Sequence, residues 1–213
     1  MTAIRIISKE DGFSLVELFI YMAMFIVVTG ALYSVFIGNT KSYSSQENKV
    51  EMVQDLRAAM HLMVGDIRMA GLDPTGVGGI GFVDDADDRY DTDGNSIHFT
   101  MDFDGNGAID NSESINYFLR NSGGVQQIVR RTGDGNEPVV AENITSFSLT
   151  YLFEDGHTGM PDESDGDTTN DFEDIRSVQI AITGETAEVD AVTRQKKTRS
   201  QTSWAVIRNA GIE

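Results

Sequence analysis

Residues 18–37, LFIYMAMFIVVTGALYSVFI, carry no charged side chain. This run constrains the chain more than any other feature. Twenty helical residues at 1.5 Å each cover about 30 Å, the hydrocarbon thickness of a bilayer. Glu17 closes the run on one side, and Lys41 is the first charge on the other. A removable secretory signal has a shorter apolar stretch that ends in a small-residue cleavage site. No such pattern closes this run before Lys41, so the segment is expected to be retained as a single membrane crossing. Arg5 and Lys9 precede it and favour an N-terminus on the inside.

The apolar run does not end in a turn signal. After GNTKSYSSQ the pattern becomes amphipathic, with Val50, Val53, Leu56, Met60, Met63, Val64 and Ile67 mostly three or four residues apart. Lys49, Glu51, Asp55, Arg57, Asp66 and Arg68 fill the opposite face. Residues 13–73 lack proline, and Gly71 followed by Pro74 is a stop signal. The pattern predicts one helix from about Phe13 to about Ala70, roughly 85 Å long. Its first half is apolar all round, and its second half has one apolar stripe.

Beyond Pro74 the sequence changes to Gly- and Asp-rich turns between short alternating runs. SIHFTM (96–101), SINYFL (114–119), VQQIVRR (125–131), SFSLTYLF (146–153), IRSVQIAIT (175–183) and SQTSWAVIR (200–208) read as half-buried strands. In the last of these Trp204 and Val206 share a face. The expected fold is α+β: a long N-terminal helix whose stripe packs on the apolar face of an antiparallel sheet. The expected organisation is a helical segment 13–71 with a membrane-spanning part at 18–37, then a β-rich domain at 72–213.

The formal net charge is −18, from 34 Asp+Glu against 16 Lys+Arg. Such acidity repels phosphates and excludes nucleic acid as the main partner. The absence of cysteine excludes a disulfide framework and a zinc–thiolate site. A Cys-free domain outside the cytoplasm needs another staple, and one stretch supplies a candidate. DFDGNGAIDNSE (102–113) matches the twelve-residue calcium loop, with Asp102, Asp104 and Asn106 at positions 1, 3 and 5. Gly107 supplies the turn at position 6 and Ala108 a backbone carbonyl at position 7. Asp110 falls at position 9, and Glu113 falls at position 12, where it can bind bidentately. Calcium takes six to eight hard oxygens, and this spacing wraps them around one point. Strands rather than helices flank the loop, so it is expected within a β-hairpin spanning 96–119, as a structural calcium site. A solvated acidic turn is the alternative reading of the same residues. Two other acidic stretches, 84–95 and 162–174, have D-x-D spacing at Asp91/Asp93 and Asp165/Asp167 without a complete set; they read first as solvated loops, with a second cation site as the alternative.

GVGGIG (76–81) follows a helix end and has no Lys-Ser/Thr after it, so it reads as a flexible connection rather than a phosphate loop. His61, His98 and His157 are scattered singly. No catalytic constellation emerges, and the chain is not expected to be an enzyme.

The segment GFSLVEL (12–18) resembles the processing motif of type IV pilins and type II secretion pseudopilins. That resemblance implies a leader at 1–12, cleavage after Gly12 by a prepilin peptidase, N-methylation of Phe13, and a role for Glu17 in assembly. DLRAAMHLMVGDIRMAGL (55–72) and TSWAVIRNAG (202–211) are similar to PilW-like minor pilins and the related J-type minor pseudopilins. Glu10 and Asp11 depart from the family pattern by placing acids directly before the junction. The implied function is a minor subunit that helps to initiate a type IV pilus. Implied partners are other minor and major pilins, the peptidase and the inner-membrane assembly platform. Implied location is a single-pass inner-membrane protein with a cytoplasmic N-terminus and periplasmic domain, later part of the fibre. A type II secretion minor pseudopilin and a pilus-borne calcium-dependent adhesive module are the alternatives.

Physics supports the implied pairing. Cleavage after Gly12 would give Phe13 a cationic amine, which the Glu17 carboxylate of the same or a neighbouring helix could neutralise. An unpaired carboxylate in hydrocarbon costs on the order of a few kcal/mol, and the alternative to pairing is that Glu17 snorkels to the interface.

Overall fold

The computed structural model describes residues 12–84, 90–162 and 170–209. The expected leader, apart from Gly12, lies outside the described residues, as do the C-terminal Ala210 and Gly211.

One helix, α1 (Leu15–Ile67, 53 residues), runs about 80 Å without a break. It passes through Gly30, Gly38 and Gly65, because isolated glycines cost only about 1 kcal/mol each in a helix. Its end is the one the sequence signals. The N–H groups of Met69 and Ala70 tighten onto Asp66 and Ile67 carbonyls, and Gly71 turns left-handed at φ +71. Gly71 then donates its N–H to the Thr100 carbonyl at 3.0 Å, which ties the helix end to the first strand.

Two surfaces divide this helix. Every residue from 12 to 36 is exposed. Farther along, Met52, Leu56, Ala59, Met60, Met63 and Ile67 are buried at spacings of four, three, one, three and four. The buried stripe differs from the expected one at its start. Val50 is 54 % exposed, while Met52 and Ala59 are buried. At 100° per residue, Val50 stands about 120° away from Leu56, off the face that the domain covers.

The strands form two antiparallel sheets, where the sequence pattern suggested one. Strands β1 (Ser96–Thr100), β2 (Ser114–Ser122), β3 (Val125–Thr132) and β4 (Val139–Ala141) form the first, in the order β1-β2-β3-β4. Strands β5 (Ile144–Phe153), β6 (Thr158–Gly159), β7 (Ile175–Glu185) and β8 (Thr198–Val206) form the second, in the order β6-β5-β7-β8. The chain changes sheet at Glu142 and Asn143, where Asn143 takes φ 55. β4 and β6 are too short to show a period, so the pattern could not reveal them.

The two sheets and the helix stripe share one core. Ile97, Phe99, Ile115 and Tyr117 from the first sheet meet Leu149, Tyr151, Val178, Ile180 and Ile182 from the second. Gly184 permits a close approach of β7 to the helix: a Cβ there would lie 3.1 Å from Leu56 Cδ2. Trp204 and Val206 do share a face of β8, but it is the outer one, and Ala205 and Ile207 are the buried residues.

Candidate metal centre

The β1–β2 hairpin is antiparallel, with Thr100 opposite Ser114. Its connection, residues 101–113, is the predicted calcium loop. Two backbone bonds seat its start. Met101 N–H donates to the Glu113 carbonyl at 3.0 Å, and Asp102 N–H donates to the Leu72 carbonyl at 2.7 Å. The loop is therefore fixed against the chain leaving the C-terminal end of α1.

Inside the loop, the backbone points its N–H groups at two buried carboxylates. Asp102 is fully buried, and Glu113 is nearly so. Asp102 Oδ1 accepts from Gly105 N–H (2.7 Å) and Asn106 N–H (3.1 Å), and Oδ2 accepts from Gly107 N–H (2.9 Å). Glu113 Oε1 accepts from Phe103 N–H (2.7 Å) and Asp104 N–H (3.2 Å), and Oε2 accepts from Asp110 N–H (2.9 Å). These bonds hold the Glu113 carboxyl below its ordinary value. The Asp110 N–H is the largest cause, while burial and the Asp102 charge act in opposition.

Asp102, Asp104 and Glu113 bring one oxygen each within 4.8 Å of one another. Asp110 joins them through Asn106, whose Nδ2 donates to Asp104 Oδ2 (3.0 Å) and Asp110 Oδ2 (3.3 Å). Asn106 Oδ1 accepts from Ala108 N–H at 2.7 Å. The Ala108 carbonyl is placed by sequence position alone. No ion pair among the described residues neutralises the three converging carboxylates.

The donor set fits a hard cation. A carboxylate offers about four lone-pair sites, and Asp102 and Glu113 each spend three on backbone N–H groups. One oxygen of each lies within 4.8 Å of the other and of Asp104, and carboxylates so close repel unless a divalent ion lies among them. The turn also needs its glycines. Gly105 and Gly107 take φ +74 and +78, and a Cβ on Gly107 would lie 3.3 Å from Val77 Cγ2.

Val77 belongs to the glycine-rich connection, which is irregular as expected and whose start is bonded to one side chain. The Asp73 carboxylate accepts from Thr75 Oγ1 (3.0 Å) and from the N–H groups of Thr75, Gly76 and Gly78, the last two at 2.8 Å. Those bonds lower the Asp73 carboxyl, that from Gly78 most. Residues 75–78 wind around this one side chain and abut the acidic loop at Gly107. The signal was the Asp-Pro-Thr-Gly opening, in which Asp caps the following turn.

The family model for prepilin peptidase-dependent protein B matches residues 45–202. The chain belongs to that family. No curated protein matches it. In this prepilin peptidase-dependent protein B family member the matched region contains the packed half of α1 and the entire acidic loop 102–113. It begins after the apolar run, so Gly12, Phe13 and Glu17 lie outside it. Gly12 and Phe13 are exposed ahead of the helix, Ser14 is its extended N-cap residue, and Glu17 sits exposed in its first turn. The positive end of the helix dipole favours a carboxylate there.

A second polar group, not foreseen from sequence, joins helix to sheet beside the loop. Asp66 Oδ2 accepts from the Tyr117 hydroxyl (2.5 Å) and from Arg130 Nε (2.8 Å). Burial, and then the Asp66 charge, pushes the Tyr117 hydroxyl far above its usual range. Asp66 and Arg130 line a cleft of about 290 Å³ with Asp104, Asp110 and Glu113. Partners so distant in sequence carry no local signature.

The other acidic stretches differ. Asp93 Oδ1 accepts from Asn95 N–H (2.5 Å) and Ser96 N–H (2.6 Å), and Asp91 Oδ1 accepts from Thr92 N–H (2.6 Å). These carboxylates bind their own turn, and among the described residues they do not converge with a third acid. Asp165 and Asp167 lie outside the described residues.

Proposed function

We propose that this chain is a minor pilin subunit that helps to initiate assembly of a type IV pilus, with a globular domain stapled by calcium. One observation carries the reading. A helix that packs its own domain from Met52 onward extends without a break into a half that is exposed all round and apolar. Burying an apolar side chain of this size is worth about 1.5–3 kcal/mol, so that half needs lipid first and other helices afterwards. The family description, prepilin peptidase-dependent, agrees with the GFSLVEL junction.

In this reading residues 18–37 hold the subunit in the inner membrane as a single pass, with the domain in the periplasm. The peptidase cuts after Gly12, and the new Phe13 amine pairs with Glu17 when helices pack. Asp102, Asp104, Asn106, the Ala108 carbonyl, Asp110 and Glu113 hold calcium, which does no chemistry and fixes the loop against the helix end. Affinity is expected at roughly 10⁻⁴–10⁻³ M, as in extracellular modules.

Mass spectrometry of the mature N-terminus tests the processing: a chain starting at methylated Phe13 is expected, and one retaining residues 1–12 overturns it. Deleting the gene tests the role. Loss of surface pili is expected. Normal pili with lost attachment would indicate an adhesive module, and normal pili with a secretion defect would indicate a type II secretion pseudopilin.

A further inference from the structure

The β7–β8 hairpin lies along α1, and three contacts fix its direction. Beyond β8, Arg208 N–H donates to the Arg68 carbonyl just past the helix end. Midway, Gly184 stands against Leu56. At the turn, the Ser45 hydroxyl donates to Asp190 Oδ2, and Asp190 Oδ1 accepts from the N–H groups of Val192 (2.8 Å) and Thr193 (2.7 Å). The contacts step down the helix from 68 to 56 to 45, toward the apolar run. The hairpin turn is therefore the end of the domain that faces the membrane. Ser45 is eight residues past Ile37, about 12 Å along the axis, and the Arg194 N–H donates to the Asp190 carbonyl (2.8 Å), which closes the turn at that level. The headgroup layer occupies about 5–7 Å beyond the hydrocarbon on each side. A long basic side chain at the turn spans the remaining gap.

The composition of the turn is unusual for this chain. Within a net charge of −18, VTRQKKTR (192–199) concentrates Arg194, Lys196, Lys197 and Arg199. Lys196 pairs with Glu185 at 2.6 Å, while Arg194, Lys197 and Arg199 have no ion pair among the described residues. Val192 is 65 % exposed. Glu188 is the exposed acid of the turn, whereas Asp190 is buried and occupied by Ser45 and the turn backbone. Lys41, on the helix, lies about 6 Å past Ile37. Arg199 is level with Gly184 and too far up to take part. The Lys197 carbonyl accepts from the Thr186 N–H (2.8 Å), so Lys196 and Lys197 lie between the turn and Arg199.

We propose that this turn, through Arg194 and Val192 together with Lys41 of the helix, docks on anionic lipid headgroups of the membrane that holds the subunit. The proposal rests on the reading that residues 18–37 span the bilayer. The contact fixes the height and rotation of the domain on the membrane, and it must break when the helix is drawn into a fibre. Juxtamembrane cations each add about fivefold to occupancy of an anionic surface.

The test uses the full chain in vesicles of phosphatidylcholine alone or mixed with phosphatidylglycerol. Because the sequence has no cysteine, Thr193→Cys accepts a single environment-sensitive fluorophore. The expected result is a blue-shifted emission, quenched by nitroxide on lipid headgroups, in anionic vesicles only and reversed by high salt. Lys41→Gln with Arg194→Gln should reduce the bound fraction by about 25-fold in equilibrium constant, and Lys41→Arg with Arg194→Lys should retain it. A fluorophore at Val77→Cys, at the other end of the domain, should show no lipid dependence. Equal emission in both vesicle types, or a shift that survives the glutamine pair, overturns the proposal. So does a shift that requires an added acidic protein. Flotation separates the two ideas. A chain that fails to float with either vesicle overturns the membrane span and this proposal with it, whereas a chain that floats with both yet shows no shift overturns the proposal alone.

Discussion

Two acidic loops flank β1, and they use their carboxylates in opposite ways. The loop before the strand, residues 91–95, has the D-x-D-x-N spacing, and so does the loop after it, residues 102–106. In the first, Asp93 and Asp91 accept bonds from the next few N–H groups, and by Ser96 the chain is already paired with Phe118 in the sheet. In the second, Gly107 turns the chain back at φ +78, and Glu113 returns to within 4.8 Å of Asp102 and Asp104. Both loops are equally rich in acid where they begin. The residue at the sixth position decides whether the chain straightens into a strand or wraps around a point. Convergence of carboxylates on one point is thus a property of the turn, and charge count alone does not produce it.

The largest test of this contrast removes a carboxylate from the wrapped loop. Glu113→Ala leaves the N–H groups of Phe103, Asp104 and Asp110 without their acceptor, and one unsatisfied buried donor costs about 1–3 kcal/mol. A loss of about 3 kcal/mol in urea unfolding is expected, along with the whole stabilising response to calcium. A variant that still gains stability from calcium would place the ion elsewhere. The next effect is the response itself. At 10 mM calcium and a Kd of roughly 10⁻⁴–10⁻³ M, linkage predicts about 1.4–2.7 kcal/mol of added stability, seen as a higher Tm. Acid should oppose it. The Glu113 carboxyl lies below its ordinary 4.5 when folded, so the unfolded chain takes up the proton first as pH falls. The contribution is complete above the unfolded value and disappears as pH drops through the folded one. A stability profile that is flat across that window in the wild type, or still sloped in Glu113→Gln, would remove this carboxylate from the account.

Local pattern carried the features whose partners are near in sequence. The helix, its stop at Gly71, six strand positions and the wrapped acidic loop 102–113 are all written in spacings shorter than about a dozen residues. Val50 shows where that breaks down. It keeps the helical period, but which arc of the helix is covered depends on where β7 and β8 pass, and that is a tertiary fact. Trp204 shows it again, since alternation sets which residues share a face of β8 but not which face meets the core. The division into two sheets rests on a three-residue strand and on Asn143, for which no period exists. The Asp66–Tyr117–Arg130 group joins positions more than fifty residues apart on the helix-to-sheet side. In the glycine-rich stretch 76–81 the glycines mark a connection, but the contact that shapes its start comes from Asp73 ahead of them.

A smaller effect probes the turn directly. Gly107→Ala must hold a left-handed φ, which costs an L-residue about 1–2 kcal/mol, and must also displace Val77 by a few tenths of an ångström. Its calcium response should weaken rather than vanish, because every oxygen ligand remains. If Gly107→Ala unfolds at the wild-type urea midpoint, the turn is less constrained than the structure indicates.

The smallest effect belongs to the other loop, and it decides what the comparison is worth. Asp93→Ala removes the acceptor for the Asn95 and Ser96 N–H groups, and it leaves intact the bond from the Tyr151 hydroxyl to the backbone carbonyl of residue 93. Asn95 N–H can turn to water, so the expected loss is that of one side-chain cap, about 1 kcal/mol. The calcium titration curve should coincide with that of the wild type in midpoint and amplitude. Removing one of two acids from a D-x-D-x-N sequence would then change stability slightly and binding not at all. A shifted calcium midpoint in Asp93→Ala would mean that the loop before β1 also holds the ion or is coupled to it through the strand, and the contrast between the loops would fail.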